Sequence, residues 1–215
     1  MSQTYDCSDP ALRACGLDEA AASIARGALA VIPTDTVYGV AADAFTEQAV
    51  AALLAAKGRG REMPSPVLVG SWAGLDGLML AVDDVARSLV EAFWPGGLTI
   101  IVEHAPSLAW DLGDTRGTVA VRMPAHPVAL ELLERTGPLA VSSANRSGAA
   151  SPATVDEARA QLGDAVDTYL DGGPCTDRTA SSIVDLTGVT PTLRRLGSIS
   201  AAELREVVPD LQEAP

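Results

Sequence analysis

Short apolar runs rich in Val, Ile and Leu recur along this chain, and nearly every one stops at a proline, a glycine or a cluster of hydroxyl residues. Runs of that length are strands, and the amphipathic stretches between them carry helix-cap signals. Read in order, the pattern predicts strands at 28–32 (closed by Pro33), 67–69, 98–102, 118–121, 139–141, 166–170, 182–186 and 192–195. Helices are expected from a cap at Asp18 to Arg26, from a cap at Thr46 to Lys57, from Asp83 to Phe93, and from Pro127, which suits a first helical position, to Arg135. Thr154 with Glu157, and Ser200 with Glu203, have the spacing of capping boxes. Because the late strands follow one another without helices, a mixed, twisted sheet is expected rather than a strict strand-helix alternation.

The 215 residues favour one domain. Its core should span 11–208, with loose ends at 1–10 and 209–215, as chain termini usually are. The formal charge of −13 disfavours nonspecific binding to nucleic acid or to anionic membranes. Cys7, Cys15 and Cys175 fit no zinc or redox spacing and read as plain thiols. The first residues do not form a signal peptide, and no apolar stretch approaches the roughly 20 residues of a membrane span. A cytoplasmic protein that does not enter membranes is the expectation.

No P-loop and no dinucleotide fingerprint occurs. His104 and His126 form no metal set, and His126, just before Pro127, reads as structural. Five segments instead carry polar groups at strand ends, where ligands bind in open α/β sheets. Pro33-Thr34-Asp35-Thr36-Val37-Tyr38-Gly39 offers hydroxyls and a carboxylate, or else a turn that caps its own backbone. Lys57-Gly58-Arg59-Gly60-Arg61 places three cations in a protein of net negative charge, which suits a polyphosphate. Val50, Leu53, Leu54 and Lys57 share one helix face, so Lys57 should lie at the rim of a buried face and point into a cleft. It is the only lysine; the other basic residues are arginines. The competing reading is a cation that complements the helix C-terminus. Thr118, Ala120 and Arg122 share one strand face, and an arginine ending an apolar strand needs an acid or a cleft. Ser142-Ser143-Ala144-Asn145 follows a buried strand, although such residues are also ordinary turn formers. The last segment is Ser181-Ser182 with Arg194-Arg195-Leu196-Gly197.

In this order, together with Trp94-Pro95-Gly96-Gly97-Leu98-Thr99 and the run from Thr118 to Pro127, these motifs resemble the YrdC-domain family of threonylcarbamoyl-AMP synthases. The likeness spans roughly residues 20–200. It implies an α/β fold with flanking helices around a large cavity, and synthesis of threonylcarbamoyl-AMP from L-threonine, bicarbonate and ATP with Mg²⁺. It also implies a tRNA threonylcarbamoyl transferase complex as acceptor of the product, and at most weak RNA contact. By resemblance, Lys57 and Arg59 hold phosphates and carry catalysis. Thr34, Arg122 and Ser181 bind threonine. Thr118, Ser143, Asn145, Ser151 and Arg195 line the nucleotide side. Two departures stand out. Gly70, followed by Ser71, occupies the place of a family histidine, and Arg61-Glu62 lengthens the loop after Arg59, leaving open which arginine meets phosphate. The rival readings are a double-stranded-RNA-binding or ribosome-maturation module, and a different carbamoyl-adenylate chemistry.

Overall fold

The structure is a computed structural model that describes residues 2–80, 83–176 and 178–214. Its strands are β1 (Gln3–Asp6), β2 (Ala30–Ile32), β3 (Gly39–Asp43), β4 (Val67–Leu68), β5 (Leu98–Glu103), β6 (Thr118–Arg122), β7 (Leu139–Ser143), β8 (Thr168–Asp171), β9 (Ser182–Asp185), β10 (Thr192–Arg195) and β11 (Gln212–Glu213). Among the described residues they form one twisted sheet in the order β1-β8-β2-β3-β7-β4-β6-β5-β9-β10-β11. Parallel pairs (β1 with β8, β4 with β6, β5 with β9) are mixed with antiparallel ones (β2 with β3, β3 with β7, β5 with β6), as the sequence predicts.

The helices are α1 (Pro10–Ala25), α2 (Glu47–Lys57), α3 (Trp72–Asp76), α4 (Asp84–Phe93), α5 (Pro127–Thr136), α6 (Val155–Leu162) and α7 (Ala201–Val207). Strand alternation sends neighbouring side chains to opposite faces, and the two faces differ. Val31, Val40, Ala42, Ile100, Val102, Val121 and Val184 join the larger core, with side chains from α2, α4, α6 and α7. Ala30, Ile32, Ala41 and Val141 join a smaller core against Leu17, Ile24, Val128 and Leu132 of α1 and α5. Those two helices cover only part of the second face. Over β6, β5 and β9 the same face continues as the floor of a cavity, through Ala120, Thr99, Ile101 and Ile183.

Several boundaries correct the sequence reading. The segment 2–10 is not loose: β1 pairs with β8 at the sheet edge, and Asp9, not Asp18, caps α1 by accepting from the amides of Ala11 and Leu12 at 2.8 and 3.0 Å. Asp18 lies inside the helix, where its carboxylate pairs with Arg135. Within 209–215, β11 pairs with β10. Residues 1 and 215 lie outside the described residues. β3 has no strand signal because Gly-Val-Ala-Ala-Asp is poor in β-formers. Its place between β2 and β7 decides its state, and a Cβ at Gly39 would sit 2.7 Å from Val141 Cγ1. Thr46 precedes α2, but its hydroxyl donates to Asp43 at 2.6 Å rather than capping the helix. The Ser200–Glu203 capping box forms. The Thr154 hydroxyl caps α6 alone, because the Glu157 carboxylate takes the Ala153 amide instead.

Candidate active site

The cavity has a volume of about 360 Å³, within the usual range of small-molecule sites. The loop after β2 supplies one wall. The Thr34 hydroxyl donates to the Val37 carbonyl at 2.6 Å, accepts from the Thr36 amide at 3.2 Å and lies 3.1 Å from the Thr36 hydroxyl. This turn caps its own backbone and still presents Thr34 and Thr36 to the cavity, so both readings of the segment hold at once. The Tyr38 hydroxyl is spent on the fold, donating to the Gly173 carbonyl at 2.6 Å.

Arg122, at the end of β6, is 6 % exposed. Its Nε donates to the Gly96 carbonyl, its Nη1 to Thr36 and its Nη2 to Asp35, at 2.8, 2.8 and 2.6 Å. Burial lowers its pKa, and the Asp35 carboxylate opposes that shift. Asp35 also accepts from the Ala125 amide at 2.8 Å, so it fixes the chain beyond β6 as well as the guanidinium.

Arg59 sits differently. Its Nη1 donates to the Ser142 hydroxyl at 3.3 Å, its Nε is buried without a partner among the described residues, and no ion pair engages it. Burial lowers its pKa against the field of Glu62. Arg195 donates to the carbonyl and hydroxyl of Ser181 at 2.9 and 3.0 Å, and the Ser181 hydroxyl meets Thr99 at 2.8 Å. Among the described residues no carboxylate lines the cavity, and no cluster of His, Cys, Asp and Glu suited to a metal occurs.

Thr34, Arg59, Arg122, Ser143, Ser151, Ser181 and Arg195 are thus brought to one cavity. Three predicted residues are not on its wall. Lys57 does not point into a cleft: it is 1 % exposed, and its ammonium donates to the Ser143 carbonyl and, at 2.7 Å, to the Asn145 carbonyl. Gly58, left-handed with φ +62°, ends α2 there, so the ammonium lies beneath the loop after β7. Burial pushes its pKa down to about 8, with the Arg59 charge adding to the shift. Asn145 holds that same loop, its amide donating to the carbonyls of Arg146 and Ala149 at 2.9 and 2.8 Å. Thr118 lies at the far end of β6, its hydroxyl on the Thr115 carbonyl.

Arg61 points away from the cavity and grips Asp111 through both terminal nitrogens. Of the two arginines left open by the sequence, Arg59 is the one on the cavity wall. Ser71 caps α3, its hydroxyl accepting from the Gly74 amide. His126 is structural as expected: its Nδ1 accepts from the Val128 amide at the start of α5. Thr99 escaped the sequence reading, although a lone hydroxyl in the apolar run of β5 signals it.

The family model for Sua5, YciO and YrdC, described as telomere recombination, matches residues 22–197. The chain belongs to this family. It is 56% identical over 208 residues to a Mycobacterium tuberculosis protein provisionally named threonylcarbamoyl-AMP synthase, covering 97% of this chain and 96% of the relative. A variant of Pyrococcus abyssi Sua5 superposes with a TM-score of 0.95 at 32% identity, covering 100% of this chain and 62% of that one. The same archaeal protein in complex with L-threonine gives a TM-score of 0.88 at 35% identity, covering 93% of this chain and 59% of that one. The chain therefore spans less than two thirds of the archaeal protein and nearly all of the mycobacterial one.

Proposed function

We propose that this chain is a nucleotidyltransferase that makes threonylcarbamoyl-AMP from L-threonine, bicarbonate and ATP, releasing pyrophosphate. The observation that carries this reading is the pair of differently dressed arginines in one cavity: Arg122, braced by Asp35, and Arg59, without an acid partner among the described residues. The first suits an amino-acid carboxylate and the second a polyphosphate. Arg122 donates once from each of its nitrogens, and a guanidinium has five N–H groups, so two remain for a bidentate carboxylate. Thr34 and Ser181 would complete the threonine end. Arg59 would lie along the phosphates, with Ser143, Ser151 and Arg195 around the nucleotide. Lys57 would act through the loop it holds, fixing Ser143 from behind.

The chemistry asks little covalent work of the protein. The threonine amine and bicarbonate form a carbamate with loss of water, a carbamate oxygen attacks the α-phosphorus, and pyrophosphate leaves. Positioning and neutralisation of the phosphate charge by Arg59 and its neighbours would lower the barrier. Mg²⁺ would enter with the nucleotide, as MgATP. The product would pass to a tRNA threonylcarbamoyl transferase complex in the cytoplasm, for threonylcarbamoyladenosine formation. Among the described residues no helix is long and apolar enough to cross a membrane. The charge of −13 speaks against the RNA-binding alternative, since duplex binding needs many phosphate contacts.

Incubation with MgATP, threonine and bicarbonate should release pyrophosphate only when all three are present. Valine should be a poor substitute, because a site built to bond a hydroxyl is left with unpaired polar groups by the isostere. Pyrophosphate release without any amino acid would remove the proposed reaction.

A further inference from the structure

The loop that carries Arg59 is intrinsically loose. Gly58 and Gly60 flank the arginine, and both lack a side chain that would restrict the backbone. The Gly58 and Arg59 amides cap α2 on the Ala55 and Leu54 carbonyls at 3.0 and 2.9 Å, but beyond them the loop is held by little of its own, the Met63 amide reaching the Gly60 carbonyl only at 3.4 Å. A cation that must meet a phosphate in one geometry needs a firmer hold than this.

That hold comes from the segment 110–114. The Arg61 guanidinium is bidentate on Asp111, at 2.9 and 2.7 Å, with Asp114 at 3.6 Å from its Nε. The Asp114 amide donates to the Arg61 carbonyl at 2.8 Å, and the Ser65 amide to the Leu112 carbonyl at 3.1 Å. Gly113 makes this approach possible: its φ is +107°, and a Cβ there would lie 2.7 Å from the Arg61 carbonyl oxygen. The segment is itself anchored, since Leu112 is buried and Trp110 stacks on Phe45 and meets His104 edge-on. A flexible loop bearing the cavity cation is thus clasped to a fixed strut by the very insertion, Arg61-Glu62, that lengthens it.

We infer that Arg61 is a positioning residue: its clasp on Asp111 fixes the loop that aims Arg59 into the cavity, and Arg61 itself touches no substrate. The inference rests on the proposed reaction only for its kinetic readout. Arg61→Ala should raise the apparent KM for ATP about fivefold, the modest scale on which a surface ion pair acts. The KM for threonine should stay unchanged. In an Arg59→Ala background the same substitution should add nothing, and the swap Arg61→Asp with Asp111→Arg should restore the wild-type KM. An additive effect would mean that Arg61 meets the ligand directly and would overturn the inference, as would an unchanged KM for ATP. Amide hydrogen exchange across residues 58–65, measured without nucleotide, keeps the test separate from the reaction. Faster exchange in Arg61→Ala, with α2 unaffected, supports the clasp, and unchanged exchange overturns it even if pyrophosphate is never released.

Discussion

Around Arg122 every nitrogen of the guanidinium already has a protein acceptor, and Asp35 cancels its charge. Around Arg59 one nitrogen reaches a hydroxyl, another is buried without a partner among the described residues, and the nearest acidic influence is the exposed Glu62. Both side chains belong to the same cavity wall and both are cations, yet one is built into the fold and the other is held in reserve. An unpaired cation out of water costs stability, and a protein that keeps one has a use for its charge. The paired arginine offers shape, with its remaining N–H groups fixed in direction. The unpaired one offers net charge to whatever anion enters.

The contrast can be broken most sharply at Asp35. Asp35→Ala should destabilise the fold by about 3 kcal/mol, near the lower figure for removing one partner of a buried pair, because Asp35 is only half-buried. Urea midpoints of the variant and the parent measure it. A loss within a few tenths would mean that Arg122 is not held by its acid, and the comparison would fail. Arg59→Ala should do the reverse. Its melting temperature should match or exceed that of the parent, while pyrophosphate release falls about a hundredfold, the scale of one lost electrostatic contact to a developing charge. Should it melt lower yet turn over normally per folded molecule, Arg59 is a structural cation like Arg122.

A smaller effect concerns Lys57, whose charge is suppressed from behind rather than paired. Its folded pKa is about 8 against an ordinary 10.5. Between those values the unfolded chain binds a proton that the folded chain does not, so the contribution of Lys57 to stability rises as pH increases through that window. Activity should move the other way. Above pH 8 the ammonium becomes an amine and its grip on the Ser143 and Asn145 carbonyls weakens, so pyrophosphate release should decline by a few fold. Parallel pH profiles of release and of melting temperature test this, and Lys57→Arg should flatten the alkaline limb of the first. A release profile that stays flat to pH 10 in the parent would show that the charge of Lys57 is idle.

Much of this was legible in the chain before folding. The α/β pattern, most strands and the hydroxyls of Thr34 and Ser181 follow from periodicity and from polar residues placed at strand ends. What escaped depends on contacts between distant segments. β3 is a strand because its small residues fit between β2 and β7, not because they prefer that state. Helix periodicity places Lys57 on the buried face of α2 but says nothing of the loop after β7, whose carbonyls turn a cleft-facing cation into an internal brace. In the same way, Arg61 is turned away from the cavity by Asp111, fifty positions away, and no local pattern announces that partner.

The sheet order also dictates a sequence of events in time. β1 and β2 are joined directly by α1, yet they do not touch; β8 lies between them, parallel to both, with Gln3 and Ala30 each opposite Thr168. β1 and β2 therefore leave the ribosome with a slot between them for a strand still to be made. At translation rates of 5–20 residues per second the delay is on the order of ten seconds. During that interval the edges of β1 and β2 are bare, and bare edges recruit other chains. The molecule's exposure to misassembly is set by the distance along the message between the slot and the strand that fills it.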